Sequence, residues 1–349
     1  MLHTVRRFAP ITLLSCLLVA PGSASPGTAT WLRIGLAGAK CARGDPYGFW
    51  FHRGSSRRLL LHFQDGGGCW SYETCRRGSS FFQDSLRSPT DPSLPEGGIL
   101  DFSDARNPFR DYTAAYLPSC TGDVHWGNNV AHYTAADGRT LAIHHFGFAN
   151  ARRALRWVYR WYRSPRRVFV TGCSAGSVGS VVFAPYVMRH YRRASIVQLG
   201  DSLAFVFHRP VDIETGWRAD RNLPRWIPRM RSLDPERMTM AQYYSIVAGF
   251  YRGRSFGQFN YARDAVQTRY YVAVGGKGED FPAALRSSLE AIHRRAANFR
   301  SYVAPGDSHC VLPLPSFYRA RVDGVSLRAW VQRYASGRPV RSIGKAAGS

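Results

Sequence analysis

A serine surrounded by small residues is the strongest chemical feature of this sequence. The segment GCSAG, residues 172–176, follows the apolar run Val168–Val170 and is followed by Gly179. A serine on a tight turn between a strand and a helix holds its hydroxyl above the sheet, and small neighbours allow a strained backbone and close helix packing. Short matches of this kind also occur in ordinary turns, so a nucleophile, Ser174, and a plain turn are both open interpretations.

A serine nucleophile needs a histidine within hydrogen-bond reach, because its hydroxyl is a weak nucleophile at neutral pH. His309, in the segment APGDSHCVLP, follows the last predicted strand on a loop that contains a glycine. His190 and His293 fall in predicted helices, and His208 begins a predicted cap region. His309 is therefore the predicted base.

Two aspartates compete to be the carboxylate that fixes the tautomer of this imidazole. Asp201, in VQLGDSLAF, ends the strand after the serine, and Asp264, in FGQFNYARDAVQ, ends the strand before the histidine. An α/β-hydrolase takes serine, acid and histidine in that chain order, and the later aspartate occupies the usual acid position. Asp264 is the predicted acid; Asp201 is the alternative, or else a residue that fixes a loop.

Hydrolysis of an ester also needs donors for the oxyanion that forms on the carbonyl oxygen. The backbone N–H of Ala175, next after the serine, is one predicted donor. The glycine-rich loop DGGGCW, residues 65–70, supplies the others through Gly67 and Gly68. A phosphate-binding loop is the competing interpretation, but this segment lacks the lysine and the serine or threonine of a P-loop.

The elements that must position these residues alternate between strands and helices. A helix is predicted at 148–163 and another directly after Ser174, and strands are predicted at 57–63, 112–120, 167–172 and 194–202, with two more in the segments that end at Asp264 and His309. Such alternation predicts a mostly parallel sheet with helices on both faces and a site at the carboxyl ends of the strands. Weak periodicity at about 203–255 predicts an inserted cap.

The N-terminus has the pattern of an export signal. Two arginines precede the apolar stretch FAPITLLSCLLVA, and small residues follow it, so residues 1–29 are a predicted signal peptide. Residues 30–338 form one predicted catalytic domain and residues 339–349 a C-terminal tail. The protein is predicted to be secreted or periplasmic; a lipoprotein cleaved before Cys16 is the alternative. No later apolar run is long enough to span a bilayer.

Six cysteines remain after the signal peptide, an even number that suggests up to three disulfides in an exported chain. Cys173 precedes the predicted nucleophile and Cys310 follows the predicted base, so a working triad would bring their loops together. We predict a Cys173–Cys310 bridge, with Cys69–Cys75 as a short loop beside the glycines; the alternative is that Cys173 is a small buried residue that fills space under the serine turn. The spacings do not offer the paired ligands of a zinc site.

The net charge of +24 comes almost wholly from arginine, since only three of the 47 basic residues are lysines. In the richest cluster, residues 151–167, Leu155, Trp157, Val158 and Trp161 mark the inner face of a helix, and the arginines lie mostly outside it. A solvated face is the first interpretation, and attraction to an acidic polymer is the second. An exported enzyme meets little nucleic acid, so none is predicted as a partner.

Several motifs together resemble the pectin acetylesterase family, which also contains the Notum-type carboxylesterases. The segments QDGGGCWSYETC, YLPSCTGDVHWG, GCSAG, LGDS, RDAVQ and the terminal SH occur in the family's order across most of residues 31–318. The resemblance implies an α/β-hydrolase-type fold, a Ser-Asp-His triad and hydrolysis of O-acyl esters. Plant members place a tryptophan and a cysteine directly after the glycines and a Cys-Asp pair after GCSAGG; this chain does neither.

The sequence thus predicts a secreted serine carboxylesterase that needs no metal or organic cofactor. Its predicted partner is an acyl ester substrate, foremost an acetyl ester. Acidic polysaccharides are among the predicted alcohols that carry the acyl group. A lipase-like or thioesterase-like deacylase is the alternative within hydrolases. A basic envelope-binding or polysaccharide-binding protein without catalytic activity is the alternative outside them. The sequence does not fix the oligomeric state.

Overall fold

A mostly parallel β-sheet runs through the centre of the protein. The computed structural model describes residues 31–86, 97–202, 204, 216–234 and 237–344. The strands are β1 Trp31–Lys40, β2 Pro46–His52, β3 Arg58–Phe63, β4 Thr113–Leu117, β5 Asn129–Thr134, β6 Thr140–His145, β7 Arg167–Cys173, β8 Ser195–Asp201, β9 Ser255–Tyr261, β10 Phe299–Ala304, β11 Arg321–Val322 and β12 Val325–Ser326. Within the described ranges eight strands form the central sheet, in the order β1-β2-β4-β3-β7-β8-β9-β10. Strand β2 pairs antiparallel with both β1 and β4, and the other pairs are parallel.

Helices cover both faces of this sheet. They are α1 Tyr72–Cys75, α2 Gly147–Trp161, α3 Ala175–His190, α4 Met240–Phe250, α5 Ala265–Ala273, α6 Phe281–His293 and α7 Leu327–Ala335. Successive strand residues point to opposite faces, so Leu59 and Leu61 join a core with α2, α3, α4 and α6, whereas Leu60 joins a second core that α7 covers. The predicted arrangement of a mostly parallel sheet between helices is confirmed.

The arginine-rich helix differs from the prediction at its end. Leu155 and Val158 are buried as predicted and Trp157 is half-buried, but Trp161 is 64% exposed. Helix α2 ends at Trp161, so the ring lies on the last turn, where it leaves the core.

The predicted domain boundaries stay predictions. The signal peptide, residues 1–29, lies outside the described residues, as does much of 203–216. The described part of the predicted cap includes α4, whose Tyr243 and Val247 are buried in the main core. In the predicted tail, the backbone of Ile343 pairs with β10 at Tyr302. No helix among the residues that the structure describes is both long and apolar enough to cross a membrane.

Candidate active site

The turn between β7 and α3 holds Ser174 in a strained conformation. Ser174 has φ 53° and ψ −122°, a region that residues other than glycine rarely occupy. A Cβ on Gly176 would overlap the carbonyl of Phe63 in β3, and one on Gly172 would overlap Gly176 itself. The small residues around the serine are therefore required by the close approach of β3, β7 and α3.

His309 is bonded to Asp264. Its Nδ1 lies 2.8 Å from Oδ2 and 3.0 Å from Oδ1 of the aspartate, and a carboxylate can only accept from this nitrogen. Asp264 is fully buried and caps helix α5, accepting from the backbone N–H of Gln267 (2.9 Å). The Nε2 atom of His309 is buried without a hydrogen-bond partner among the described residues. The imidazole is thus oriented by Asp264 with Nε2 left available as an acceptor.

A disulfide links the nucleophile turn to the histidine loop. Cys173 and Cys310 are bonded, with their Cα atoms 5.7 Å apart, so the residue before Ser174 is covalently joined to the residue after His309. The predicted bridge is confirmed, as is Cys69–Cys75. The remaining pair is Cys41–Cys120.

Asp201, at the end of β8, hydrogen-bonds to the chain beside both cysteines of that disulfide. Its backbone carbonyl accepts from the N–H of Ser174 (2.8 Å). Its buried carboxylate accepts from the N–H groups of Val311 (2.9 Å) and Leu312 (2.7 Å). Burial raises the pKa of Asp201 to about 6, against the lowering effect of these bonds. In this structure Asp201 fixes the loop after His309 and makes no hydrogen bond to its imidazole.

One of the two predicted donors of the glycine-rich loop is already hydrogen-bonded within the protein. The N–H of Gly68 donates to the carbonyl of Phe81 (3.1 Å), and the carbonyl of Gly66 accepts from Gln83 (2.9 Å). Gly66 to Gly68 thus pair antiparallel with the segment around Phe82. Successive residues of a strand direct their N–H groups to opposite edges, so the N–H of Gly67 faces away from that segment. The N–H of Gly68 is therefore engaged, whereas the N–H of Gly67 does not bond to this partner. Ala175, at the first position of α3, has no intrahelical acceptor for its N–H.

A buried network behind the loop was not identified from the sequence. His125 donates from Nε2 to the carbonyl of Gln64 (2.8 Å), and burial lowers the pKa of His125 to about 4, which keeps the ring neutral. The neighbouring Asp123 accepts from Thr121 Oγ1 (2.7 Å) and from the N–H of Gly147 (2.7 Å). Burial raises the pKa of Asp123 to about 6. His125 thus fixes the backbone carbonyl at which the glycine loop begins, and Asp123 ties the neighbouring turn to the start of α2.

The residues near the site do not form a metal centre of the usual kind. Two groups in the described chain place a histidine beside two cysteine sulfurs, His145 with Cys69 and Cys75, and His309 with Cys173 and Cys310. All four sulfurs are in disulfides. A disulfide sulfur is not the thiolate that binds zinc, so each group offers a single ligand.

The comparisons with known proteins place this chain in a family and assign its fold. The model of the family described as "PAE: Pectinacetylesterase" matches residues 28–221. Pectin acetylesterase 4 of Arabidopsis thaliana is 26% identical over 182 residues, which make up 46% of this chain and 39% of that protein. The match thus spans about two fifths of the length of this curated relative.

Two crystal structures of the Wnt deacylase Notum from Drosophila share the fold. Their TM-scores are 0.60 and 0.65, and each is 17% identical to this chain. The superpositions cover 91% and 90% of this chain and 96% of the Notum chain in both cases. The predicted α/β-hydrolase-like fold is confirmed.

Proposed function

Because this chain belongs to the pectinacetylesterase family, we propose that it is a secreted serine carboxylesterase that removes acyl groups, acetyl foremost, from a polysaccharide. The observation that carries the proposal is the bond from His309 Nδ1 to both oxygens of Asp264 (2.8 and 3.0 Å). The disulfide from Cys310 to Cys173 adds to it, since it joins the histidine loop to the turn of Ser174.

In the first half of the proposed reaction, Ser174 Oγ attacks the carbonyl carbon of the ester. His309 Nε2 takes the hydroxyl proton, and Asp264 stabilises the imidazolium that results. The tetrahedral intermediate then collapses with cleavage of the bond between the carbonyl carbon and the alkoxy oxygen. His309 returns the proton to that oxygen, so the alcohol leaves and an acyl group remains on Ser174.

In the second half, water replaces the alcohol. The water oxygen attacks the acyl carbonyl carbon while His309 takes a proton from the water. His309 then returns this proton to Ser174 Oγ when the acyl-serine bond breaks. The products are the free carboxylic acid and the original serine. In both halves the N–H groups of Ala175 and Gly67 donate to the oxyanion, an interaction worth about 3–4 kcal/mol for one donor.

The surroundings of His309 favour a polar alcohol. A cavity of about 330 Å³ lies beside His309, and its lining combines the polar side chains of Gln64, Asp65 and Gln83 with apolar ones that include Pro313 and Leu314. Amide and carboxylate groups suit the hydroxyls of a sugar better than they suit a long alkyl chain. The polar part of this lining supports a carbohydrate ester over the lipase-like alternative, in line with the name of the Arabidopsis relative.

Export is the remaining part of the proposal. Disulfides persist mainly in oxidising compartments, and the six cysteines in the described chain are all paired. Together with the signal-like pattern of residues 1–29, this supports secretion or release into a periplasm.

A panel of esters tests the proposal. The purified protein should hydrolyse p-nitrophenyl acetate and release acetate from an acetylated polysaccharide, and it should act more slowly on p-nitrophenyl esters of long fatty acids. Ser174→Ala should abolish all of these activities, whereas Ser287→Ala, at an exposed position of α6, should abolish none. A protein that is folded but inactive on every ester would contradict the proposal.

A further inference from the structure

Six arginines from three separate segments converge on one groove outside the helical layer. The groove has a volume of about 620 Å³ and also exposes parts of Phe148, Tyr186 and Trp226. Its arginines are Arg152, Arg153 and Arg156 of α2, Arg189 of α3, and Arg221 and Arg225 of the segment between β8 and α4. Positive charge from three segments therefore lines a space that also exposes aromatic rings. None of the proposed triad residues lines it.

Aromatic rings hold two of these guanidinium groups in position. Arg152 lies over Tyr186, 5.8 Å from the ring centre, and over Phe148 at 5.9 Å. Arg189 lies over Trp226 at 4.8 Å. The rings of Tyr186 and Trp226 meet edge to face at 4.7 Å. Planar guanidinium groups that are held in this way lose less side-chain entropy when they bind an anion.

The carboxylates in the described part of the chain do not neutralise this charge. Among the described residues, none of the six arginines takes part in an ion pair. Arg225 donates to a backbone carbonyl, that of Asp220 (3.4 Å), and the carboxylate of Asp220 pairs instead with Arg218. Like charges gathered in one groove repel one another, and an anion with several charges relieves that repulsion.

We propose that this groove is a binding site for an acidic oligosaccharide, separate from the catalytic site. Carboxylates along the glycan accept from the guanidinium groups of the three segments, since planar guanidinium and carboxylate groups match as paired donors and acceptors. The apolar faces of the sugar rings contact the exposed parts of Tyr186 and Trp226. These aromatic rings favour a glycan over an inorganic polyphosphate, which has no apolar face to place against them.

Binding measurements with charge-matched variants test this site without using catalysis. The probe is an unesterified oligogalacturonate, which holds no ester for the enzyme to cleave. The groove variant combines Arg152→Gln, Arg156→Gln and Arg189→Gln. The control variant combines Arg252→Gln, Arg295→Gln and Arg319→Gln, which remove the same charge at exposed positions outside the groove. Thermal unfolding and p-nitrophenyl acetate hydrolysis check that each variant folds.

The groove variant should bind the probe about tenfold more weakly than the wild type, or weaker still, because three ion pairs are lost. The control variant should stay close to the wild type, and replacing the three groove arginines with lysine should retain most of the salt-sensitive binding. Equal losses in the groove and control variants would overturn the proposal, since net charge alone would then explain binding. Groove-dependent binding of polyphosphate or single-stranded DNA, without binding of the oligogalacturonate, would overturn it as well.

Discussion

Cys173 is disulfide-bonded to Cys310, and each is the immediate chain neighbour of a residue proposed to act in catalysis. The bond joins the end of β7 to the loop after β10, two strands that are not adjacent in the sheet. It therefore fixes the separation of Ser174 and His309 in a way that hydrogen bonds within either loop could not.

Removing this bridge should weaken both folding and catalysis. We expect the double variant Cys173→Ala, Cys310→Ala to lose about 2–5 kcal/mol of unfolding free energy and to show a lower kcat on p-nitrophenyl acetate. Cys69→Ala, Cys75→Ala is the comparison: it opens a loop of 6 residues instead of 137, so its loss of stability should be smaller. Peptide mapping without reduction that joins Cys310 to another cysteine would refute the clamp.

The two aspartates should differ in their effect on the rate. Asp264→Asn should lower kcat by roughly 10⁴, because an amide no longer fixes the productive tautomer of His309. Asp201→Asn should cost far less, since Asp201 contacts backbone N–H groups and not the imidazole. Steady-state kinetics on one ester decides between them, and the reverse order of losses would show that the acid is wrongly assigned.

Asp201 should also leave a signature in the dependence of stability on pH. Burial raises its pKa from 3.8 to about 6 in the folded state, so the folded chain binds more protons than the unfolded chain between these values. The contribution of this group to stability is therefore present at low pH and is lost as the pH rises through about 6. Asp201→Asn does not titrate. As the pH rises from 4 to 7, the unfolding free energy of the Asp201→Asn variant should increase relative to that of the wild type, by up to about 3 kcal/mol. Denaturation curves that give the same pH dependence of unfolding free energy for both proteins would contradict this.

His125 should act on the rate through the loop that it supports. His125→Asn removes the bond to the carbonyl of Gln64, which frees the backbone that leads to Gly67. We expect kcat to fall by about tenfold to a hundredfold with little change in KM, because the oxyanion forms only in the transition state. His190→Asn, on the far end of α3, is the matched control. A change confined to stability or to KM would show that His125 has no part in positioning the donor.

Local chemistry explains why the sequence predicted the main parts of the site. A serine turn needs small residues at adjacent positions, so GCSAG stands out within five letters. The carboxyl ends of parallel strands meet at one edge of a sheet, so Asp264 and His309 could be placed near Ser174 from strand order alone. The disulfide between Cys173 and Cys310 was predicted in the same way, because these cysteines are the chain neighbours of Ser174 and His309.

Long-range backbone contacts explain what the sequence did not provide. The bond from Gly68 to Phe81 joins two loops, and no local pattern indicates which N–H of a glycine run is already engaged. His125 has a polar side chain in a short loop, which gives no sign of burial. The hairpin of β5 and β6 was also missed, although Asp137-Gly138 lies between two alternating segments and is a common hairpin turn.

The account rests on Ser174 as the nucleophile, and covalent labelling tests this most directly. The intact protein would be treated with a serine-directed fluorophosphonate and digested, and the labelled peptide would be identified by mass spectrometry. The account predicts one labelled residue, Ser174, with ester hydrolysis lost in step with labelling and no label in Ser174→Ala. Labelling of another serine, or turnover by Ser174→Ala at the wild-type rate, would contradict it.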